Sequence, residues 1–447
     1  MKKTQPIPQI VYRAHQALIA ITQNLAIGTN LRIHNTLFTL ISGRLLESRG
    51  AIIPALSSMG LNQNDCLRTR VAIHKGSWTI AELLKHFQTW VAQCTRWKPL
   101  QVAGYNIKAI DTTCIYRPRL KNCTTTHFNS SAGKSLPATN FSMLSAIGRI
   151  DQQKVSFPLQ LTRGDEQART EETLMAQACK AAKTFVLDTD ILTADRKFPV
   201  MVMLEAGVKN VVIRRANNFT VTRVLTAVEL QEKHIGRPRK YGATLRPLER
   251  KHGKRILAAS EPDEVQTWVD EQGNALEAKI WRKVIPTVQR TWSEERITLN
   301  AAQNWIVMVI KHPKYLIPMV VLMNLELTGA ETSQVTRGRW GVEQMPLVSK
   351  QLLGGHRMYV SEAEMCYRLP ELTFLAGSIL MVLAASCEAM PSGWWDVQAK
   401  PTAGRFRRGL NEVRDLSVLD IPEQLRKKNS ITGHLPKGYH LGIKKVV

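Results

Sequence analysis

Apolar residues recur at three- and four-residue steps through residues 8–100, as in Ala17-Leu18-Ile21-Leu25 and Leu37-Leu40-Ile41-Leu45. This spacing predicts a series of helices. Gly28, Gly60 and Gly76 interrupt it. The texture changes near Pro99. Residues 105–111 alternate and predict a strand ending in Asp111, and residues 154–161 predict a second strand, closed by the polar break Arg163-Gly164-Asp165. Residues 169–183 read as a helix. The run Thr184-Phe185-Val186-Leu187-Asp188 reads as a short buried strand, again ending in an aspartate. A helical stretch then leads to the strand Asn210-Val211-Val212-Ile213-Arg214. Such alternation of strand and helix predicts a mixed α/β sheet.

Residues 217–300 break that rhythm with polar, mixed sequence and isolated β-like pieces. Two apolar stretches follow, Trp305 to Ile310 and Leu316 to Leu325, separated by His312-Pro313 and read as returning strands. Helices dominate from Val335 to Cys387. From Pro391 the chain reads as a basic tail with little periodicity.

Charge changes the picture. The chain has 447 residues, with 61 Lys and Arg against 36 Asp and Glu, a formal excess of +25. That excess repels itself unless a polyanion offsets it, and nucleic acid is the leading candidate. An anionic membrane surface is the competitor. Residues 1–100 hold 12 basic side chains against three acids, and residues 401–447 hold 10 against 4, so both ends suit contact with phosphate. The several short basic helices at the N-terminus suit a helix-turn-helix-like DNA reader or a plain supporting bundle. The seven cysteines show no CxxC spacing, which gives a structural zinc site no support. The N-terminus has no apolar signal core. The longest apolar run, Phe374 to Cys387, is shorter than the roughly 20 residues of a membrane-spanning helix. The expectation is a soluble cytoplasmic protein.

Asp111 and Asp188 both end expected strands, and paired carboxylates on neighbouring strands make a hard oxygen site suited to Mg²⁺. Asp190 and Asp195 lie close by. Asp188 is preferred because it directly follows the expected strand, with Asp190 as the fallback. A third element sharpens the reading. Measured from Glu343 on a helix, Arg339 lies about 40° away, Lys350 about 20°, and Thr336 about 20° on the other side. One face then presents a carboxylate flanked by two cations, an arrangement suited to a metal-bound phosphodiester.

This stretch resembles the Tyr-(2)-Arg-(3)-Glu-(6)-Lys signature of bacterial insertion-sequence DDE transposases with an RNase H-like core. Arg339, Glu343 and Lys350 match it at the right spacing. Asp111 in Ile110-Asp111-Thr112-Thr113 resembles the family's first aspartate, and Asp188 the second. The resemblance runs from about residue 30 to 390. Two departures stand out. Thr336 occupies the usual tyrosine position, so the contact made there is lost or altered. Pro346 frees the carbonyl of Val342 at a cost of about 3 kcal/mol and predicts a kink or a fresh helix start, either of which weakens the placement of Lys350 beside Glu343. The run Gly236-Arg237-Pro238-Arg239-Lys240 resembles an AT-hook core, which would lie in an A·T-rich minor groove.

The resemblance implies an α/β, RNase H-like mixed sheet with flanking helices. The expected divisions are an N-terminal helical DNA-binding domain (1–103), a core in two parts (104–216 and 301–390), a β-rich insertion (217–300) and a basic tail (391–447). It implies cut-and-paste transposition by a bacterial, nucleoid-associated homodimer that pairs terminal inverted repeats and joins them to target DNA. Asp111, Asp188 and Glu343 would hold two Mg²⁺ ions, with Mn²⁺ able to substitute. Arg339, Lys350, Arg214, Arg237, Arg239, Lys240 and Arg407 would contact DNA. The alternatives are a domesticated, non-catalytic DNA-binding relative and an RNase H-like nuclease that only hydrolyses. Bland expectations cover the rest: Trp340 anchors the helix in the core, Trp394-Trp395 pack the tail onto the body, and His127 and His312 are structural. Arg405-Phe406-Arg407-Arg408 binds phosphate or is solvated.

Overall fold

The structure, a computed structural model, describes residues 8–120, 123, 125–165, 169–225, 241–253, 255–286, 292–392 and 394–426. The N-terminal region forms helices α1 (Gln9–Thr22), α2 (Thr29–Ile41), α3 (Arg44–Glu47), α4 (Ile52–Ser57), α5 (Gln63–Lys75) and α6 (Ile80–Cys94). Strands β1 (Trp97–Pro99), β2 (Gln101–Val102), β3 (Tyr105–Tyr116), β4 (Thr126–Asn129), β5 (Lys134–Ile150) and β6 (Gln153–Arg163) come next. They are followed by α7 (Glu171–Ala182), β7 (Asp190–Ala194), α8 (Val200–Glu205), β8 (Val211–Arg215) and β9 (Val221–Arg223). The stretch expected to be a β-rich insertion supplies β10 (Thr244–Leu245), β11 (Arg250–His252), β12 (Arg255–Leu257), β13 (Glu264–Val269) and β14 (Ala275–Pro286). The rest is α9 (Glu294–Ala301), β15 (Trp305–Lys311), β16 (Met319–Met323), α10 (Gly329–Gly338), α11 (Trp340–Leu347), a π-helical turn Val348–Leu352, α12 (Met365–Ser386), α13 (Ala403–Leu410) and α14 (Glu423–Arg426).

The protein is mixed α/β and divides into two compact units, neither contiguous in sequence. A helical unit takes Met1–Lys98, Thr113–Thr170 and Gly341–Val447, and a sheet unit takes Pro99–Thr112 and Glu171–Trp340. The chain passes from one to the other within β3.

In the helical unit, α12 is predominantly apolar, buried over most of its surface, and serves as the core helix. It is long and apolar enough to cross a bilayer by length and composition, and 89% of its most apolar stretch is buried inside the protein. Leu369, Leu372, Leu375, Ile379 and Leu383 on α12 share one core with Leu18, Phe38, Phe87, Phe157 and Phe406. The expected formless tail supplies α13, whose Phe406 and Leu410 complete this core. The long strand β5 had no counterpart in the pattern reading. Thr139, Asn140, Ser142 and Ser145 interrupt its apolar residues yet are buried with them, so alternation carries little signal there.

In the sheet unit, the strand order is β3-β7-β8-β16-β15-β14-β9-β10, with β13 beside β14. Strands β3, β7 and β8 are parallel, and β8, β16, β15 and β14 run antiparallel. The run Trp305–Ile310 is buried at every position, as a central strand covered on both faces requires. A capping box between Thr328 and Glu331 starts α10, and Gly329 lets the helix approach Trp268 and Ala278 more closely than a Cβ would permit.

Candidate active site

Asp111 does not end its strand, because β3 continues to Tyr116. Pairing with β7 nevertheless stops one residue earlier, at Ile110 opposite Ala194. The Asp111 carboxylate accepts a hydrogen bond from the Thr112 N–H at 2.8 Å and faces the Arg339 guanidinium at 3.2 Å. Arg339 caps the C-terminal end of α10 and is only 9% exposed, so it is held in place rather than free in solvent.

Asp188 is displaced from its expected position. The buried strand is Asp190–Ala194 rather than residues 184–187, and Asp188 lies in the turn before it. Its carboxylate is 54% exposed and pairs with Lys209 at 2.7 Å and Lys183 at 3.7 Å. The Lys209 ammonium holds its carboxyl below the usual range. The five residues of β7 separate this end from the Ala194 end by roughly 15 Å. Asp188 therefore sits at the wrong end of the strand to work with Asp111. The fallback, Asp190, is 1% exposed and structural: it pairs with Lys108 at 2.6 Å and accepts the Leu187 N–H at 2.6 Å.

Asp195 is the aspartate that follows β7 at the end paired beside Asp111. Ala109 pairs with Thr193 and Ile110 with Ala194, so the next step of the register sets Asp195 opposite Asp111. Laterally paired residues share a sheet face, and neighbouring strands lie about 4.8 Å apart. Asp195 is partly exposed, opens the turn after β7, and its carboxylate has no ion pair among the described residues. One further step of register, from Val212 opposite Thr193 and Ile213 opposite Ala194, brings exposed Arg214 into the same row. The pattern reading passed over Asp195 although Ile191-Leu192-Thr193-Ala194 is as apolar as residues 185–187. Val186 is buried and Leu187 is 62% exposed in the structure, so those residues form the turn that lets the chain enter β7.

Glu171 braces both strand ends from the opposite face. Its carboxylate accepts from Thr112 Oγ at 3.2 Å and pairs with Lys197 at 2.9 Å. Phe198 is buried, and its N–H bonds to the Asp195 carbonyl at 3.1 Å, closing the turn that carries Asp195.

The helix carrying Glu343 belongs, from Gly341 on, to the helical unit. It runs through Pro346 without stopping, then loosens into the π-helical turn Val348–Leu352. Widening after the proline lets the helix go on without the hydrogen bond that Pro346 cannot donate. Lys350 is fixed in that turn and donates to Thr113 Oγ at 2.6 Å. Gly341 rests against Ser156, which donates to its carbonyl at 2.5 Å. In the sheet unit, Thr336 bonds back to the carbonyls of Thr332 and Ser333 in its own helix. Its hydroxyl is absorbed there.

Several expectations are corrected. Trp340 is 60% exposed and anchors no core. Trp394 and Trp395 are both exposed and pack edge-to-face on each other at 6.0 Å. Arg407 lies over Gly43, where a Cβ would collide with its side chain, and donates to the Leu352 carbonyl at 3.2 Å; burial pushes its guanidinium down. Arg405 is engaged with Asp396 and the Met390 carbonyl, and Arg408 with Ser392. These arginines hold α13 to its surroundings instead of lying free for phosphate. His127 bonds Tyr116 and His312 faces Asp270 at 3.5 Å, in keeping with the structural roles expected of them. Arg237, Arg239 and Lys240 lie outside the described residues.

Asp111 and Asp195 are hard, anionic donors suited to a divalent cation. Among the described residues, no three His, Cys, Asp or Glu side chains gather into a metal-ligating group. No family model matches the chain, and no curated protein matches it.

Proposed function

We propose that the protein is a DNA transposase built on an RNase H-like core. The observation that carries this reading is the register of parallel strands β3 and β7, which, continued one step beyond its last pair, Ile110 and Ala194, sets the Asp111 and Asp195 carboxylates opposite each other. The order of elements supports it. An antiparallel pair, β5 and β6, follows β3; then come α7, β7 parallel to β3, α8, and β8 parallel to β7. This order supports the reading because it is the one expected of an RNase H-like core. The resemblance of Arg339, Glu343 and Lys350 to the family signature implies a third carboxylate and two cations.

In this reading Asp111 and Asp195 would hold Mg²⁺, and the signature resemblance implies Glu343 as a further ligand. When bound there, divalent ions would supply activation of water or a DNA 3′-hydroxyl and stabilisation of the leaving oxygen. Arg339 keeps the Asp111 carboxylate anchored while DNA is absent. Arg214, at the edge of the acidic row, and Lys350 suit flanking phosphates. A homodimer would pair the two inverted repeats and pass them to target DNA.

The test is Mg²⁺-dependent cleavage of a labelled duplex carrying the inverted repeat that flanks the gene. Asp195→Ala is expected to fall below about one-hundredth of wild type, while Asp188→Ala cleaves normally. Glu343→Gln is expected to lose cleavage and keep binding. Loss of cleavage in Asp188→Ala alone would sink the assignment of Asp195. Cleavage without joining to target would leave a nuclease, and binding without cleavage a non-catalytic relative.

A further inference from the structure

The helix α5 presents a face that nothing among the described residues covers. Asn64, Leu67, Arg68, Val71 and Lys75 are all exposed, whereas Cys66, Thr69 and Ile73 are buried on the opposite side. At about 100° per residue, the five exposed positions fall within a stripe about 100° wide. Two of them are aliphatic, with Leu67 46% and Val71 54% exposed. Side chains of this kind on a surface helix normally face the core, and here the core side is already filled.

The charge on and beside the stripe has one sign. Arg68 and Lys75 stand on it with no acid among its five residues, and neither has an ion pair among the described residues. The nearest acids on its flanks are already neutralised. Asp65 pairs with Arg32 at 2.8 Å, and Glu362 is shared by Arg70 and His74. The helix is held as a rigid presenting element. The Asn62 side chain caps its N-terminus by accepting the Asp65 N–H at 2.9 Å, and Gly60, at φ +77°, turns the chain sharply between α4 and α5.

We infer that the exposed face of α5 enters the major groove of duplex DNA and reads base edges there. The groove, about 12 Å wide, admits one α-helix. Asn64, near the N-terminus, suits the paired donor and acceptor of adenine, and Arg68 the two acceptors of guanine. Leu67 and Val71 suit thymine methyl groups, and Lys75 a phosphate. This accounts for aliphatic residues left open on a basic helix. A purely electrostatic contact has no use for them, and a protein partner would not need the one-signed rim. The inference takes DNA as the partner from the proposed function but does not depend on cleavage.

The probe is a pool of 40-base-pair duplexes with 20 random central positions, selected by gel shift on the full-length protein. Wild type is expected to enrich one motif. Arg68→Ala should bind the selected duplex at least about tenfold more weakly while changing little on unselected duplex. A Leu67→Ser, Val71→Ser double variant should relax the motif at thymine positions. Lys75→Ala should reduce the salt slope by about one. The control Lys134→Ala, on an exposed residue of β5, should change none of these. All the substituted side chains are exposed, and circular dichroism checks their folding. The inference is overturned if the variants select the wild-type motif with unchanged affinity. It is equally overturned if they leave DNA binding alone and abolish self-association in sedimentation, which would give the face to a second copy. Wild type that selects a motif yet never cleaves it would remove the transposase reading and leave this face standing.

Discussion

Two carboxylates show how much one residue's surroundings decide. Asp188 and Asp195 are the same side chain seven positions apart, each next to a strand end, and the sequence alone ranked Asp188 first. Register separates them, because a parallel strand brings only its C-terminal end beside Asp111. A third carboxylate carries a different lesson. Glu371, on α12, is 1% exposed, and burial pushes its carboxyl up to about 7, partly offset by the facing Arg163 at 2.9 Å. A carboxyl whose folded value lies above its unfolded one binds its proton more tightly in the native state. Its contribution is present below the unfolded value of 4.5 and is lost as pH rises toward about 7. Arg163→Met removes the offsetting cation. It is expected to destabilise the protein by about 3 kcal/mol, with a greater loss at pH 8 than at pH 5, measured by urea unfolding. Equal losses at the two pH values would contradict the assignment of an ionised, buried Glu371.

At the scale of elements, breaks in regular structure mark where chain segments meet. The helix through Glu343 survives Pro346 by widening into a π turn, and that turn holds Lys350 against Thr113. The expected kink or restart was the right physical problem with a different solution. Gly50 marks a second meeting point. It adopts φ +89°, and a Cβ there would lie 1.8 Å from the Arg357 carbonyl oxygen, which is backbone and cannot swing away. Its own carbonyl accepts the Tyr359 N–H at 2.9 Å. Gly50→Ala is expected to cost at least about 2 kcal/mol, from the unfavourable φ and the forced separation of these segments. Gly104, also at positive φ but with open space around it, is the comparison. Its alanine variant should lose only about 1 kcal/mol, and a thermal melt of the two variants side by side tests the difference.

For the molecule as a whole, the charge excess of 25 sets the conditions under which any polyanion is held. If six or more phosphates are neutralised, raising monovalent salt from about 50 to 200 mM is expected to weaken duplex binding by about a thousandfold. A filter-binding titration across that range reads it directly, and a flat response would remove DNA as the partner. Neither compact unit is contiguous in sequence. The sequential domains 1–103, 104–216, 217–300, 301–390 and 391–447 follow changes of texture along the chain, whereas the units follow burial. Helix α12 makes the reason plain. A predominantly apolar helix must be covered on nearly every side, so it recruits N-terminal helices, β5 and β6, and α13 from three separate stretches of chain.

What the sequence determined by itself is what short-range periodicity and composition can carry. This includes the N-terminal helices, the mixed α/β class, the strand through Asp111 and the spacing of Arg339, Glu343 and Lys350. What only the tertiary structure decided depends on pairing and packing between distant residues. Asp195, and not Asp188, follows the strand end beside Asp111 because register is set by pairing across 84 positions of chain, as from Asn106 to Asp190. Trp340 is exposed and Arg407 confined because burial follows what packs nearby. A run of apolar residues ending in aspartate looks the same whether it is a strand or the turn that leads into one; only hydrogen-bonded neighbours tell them apart.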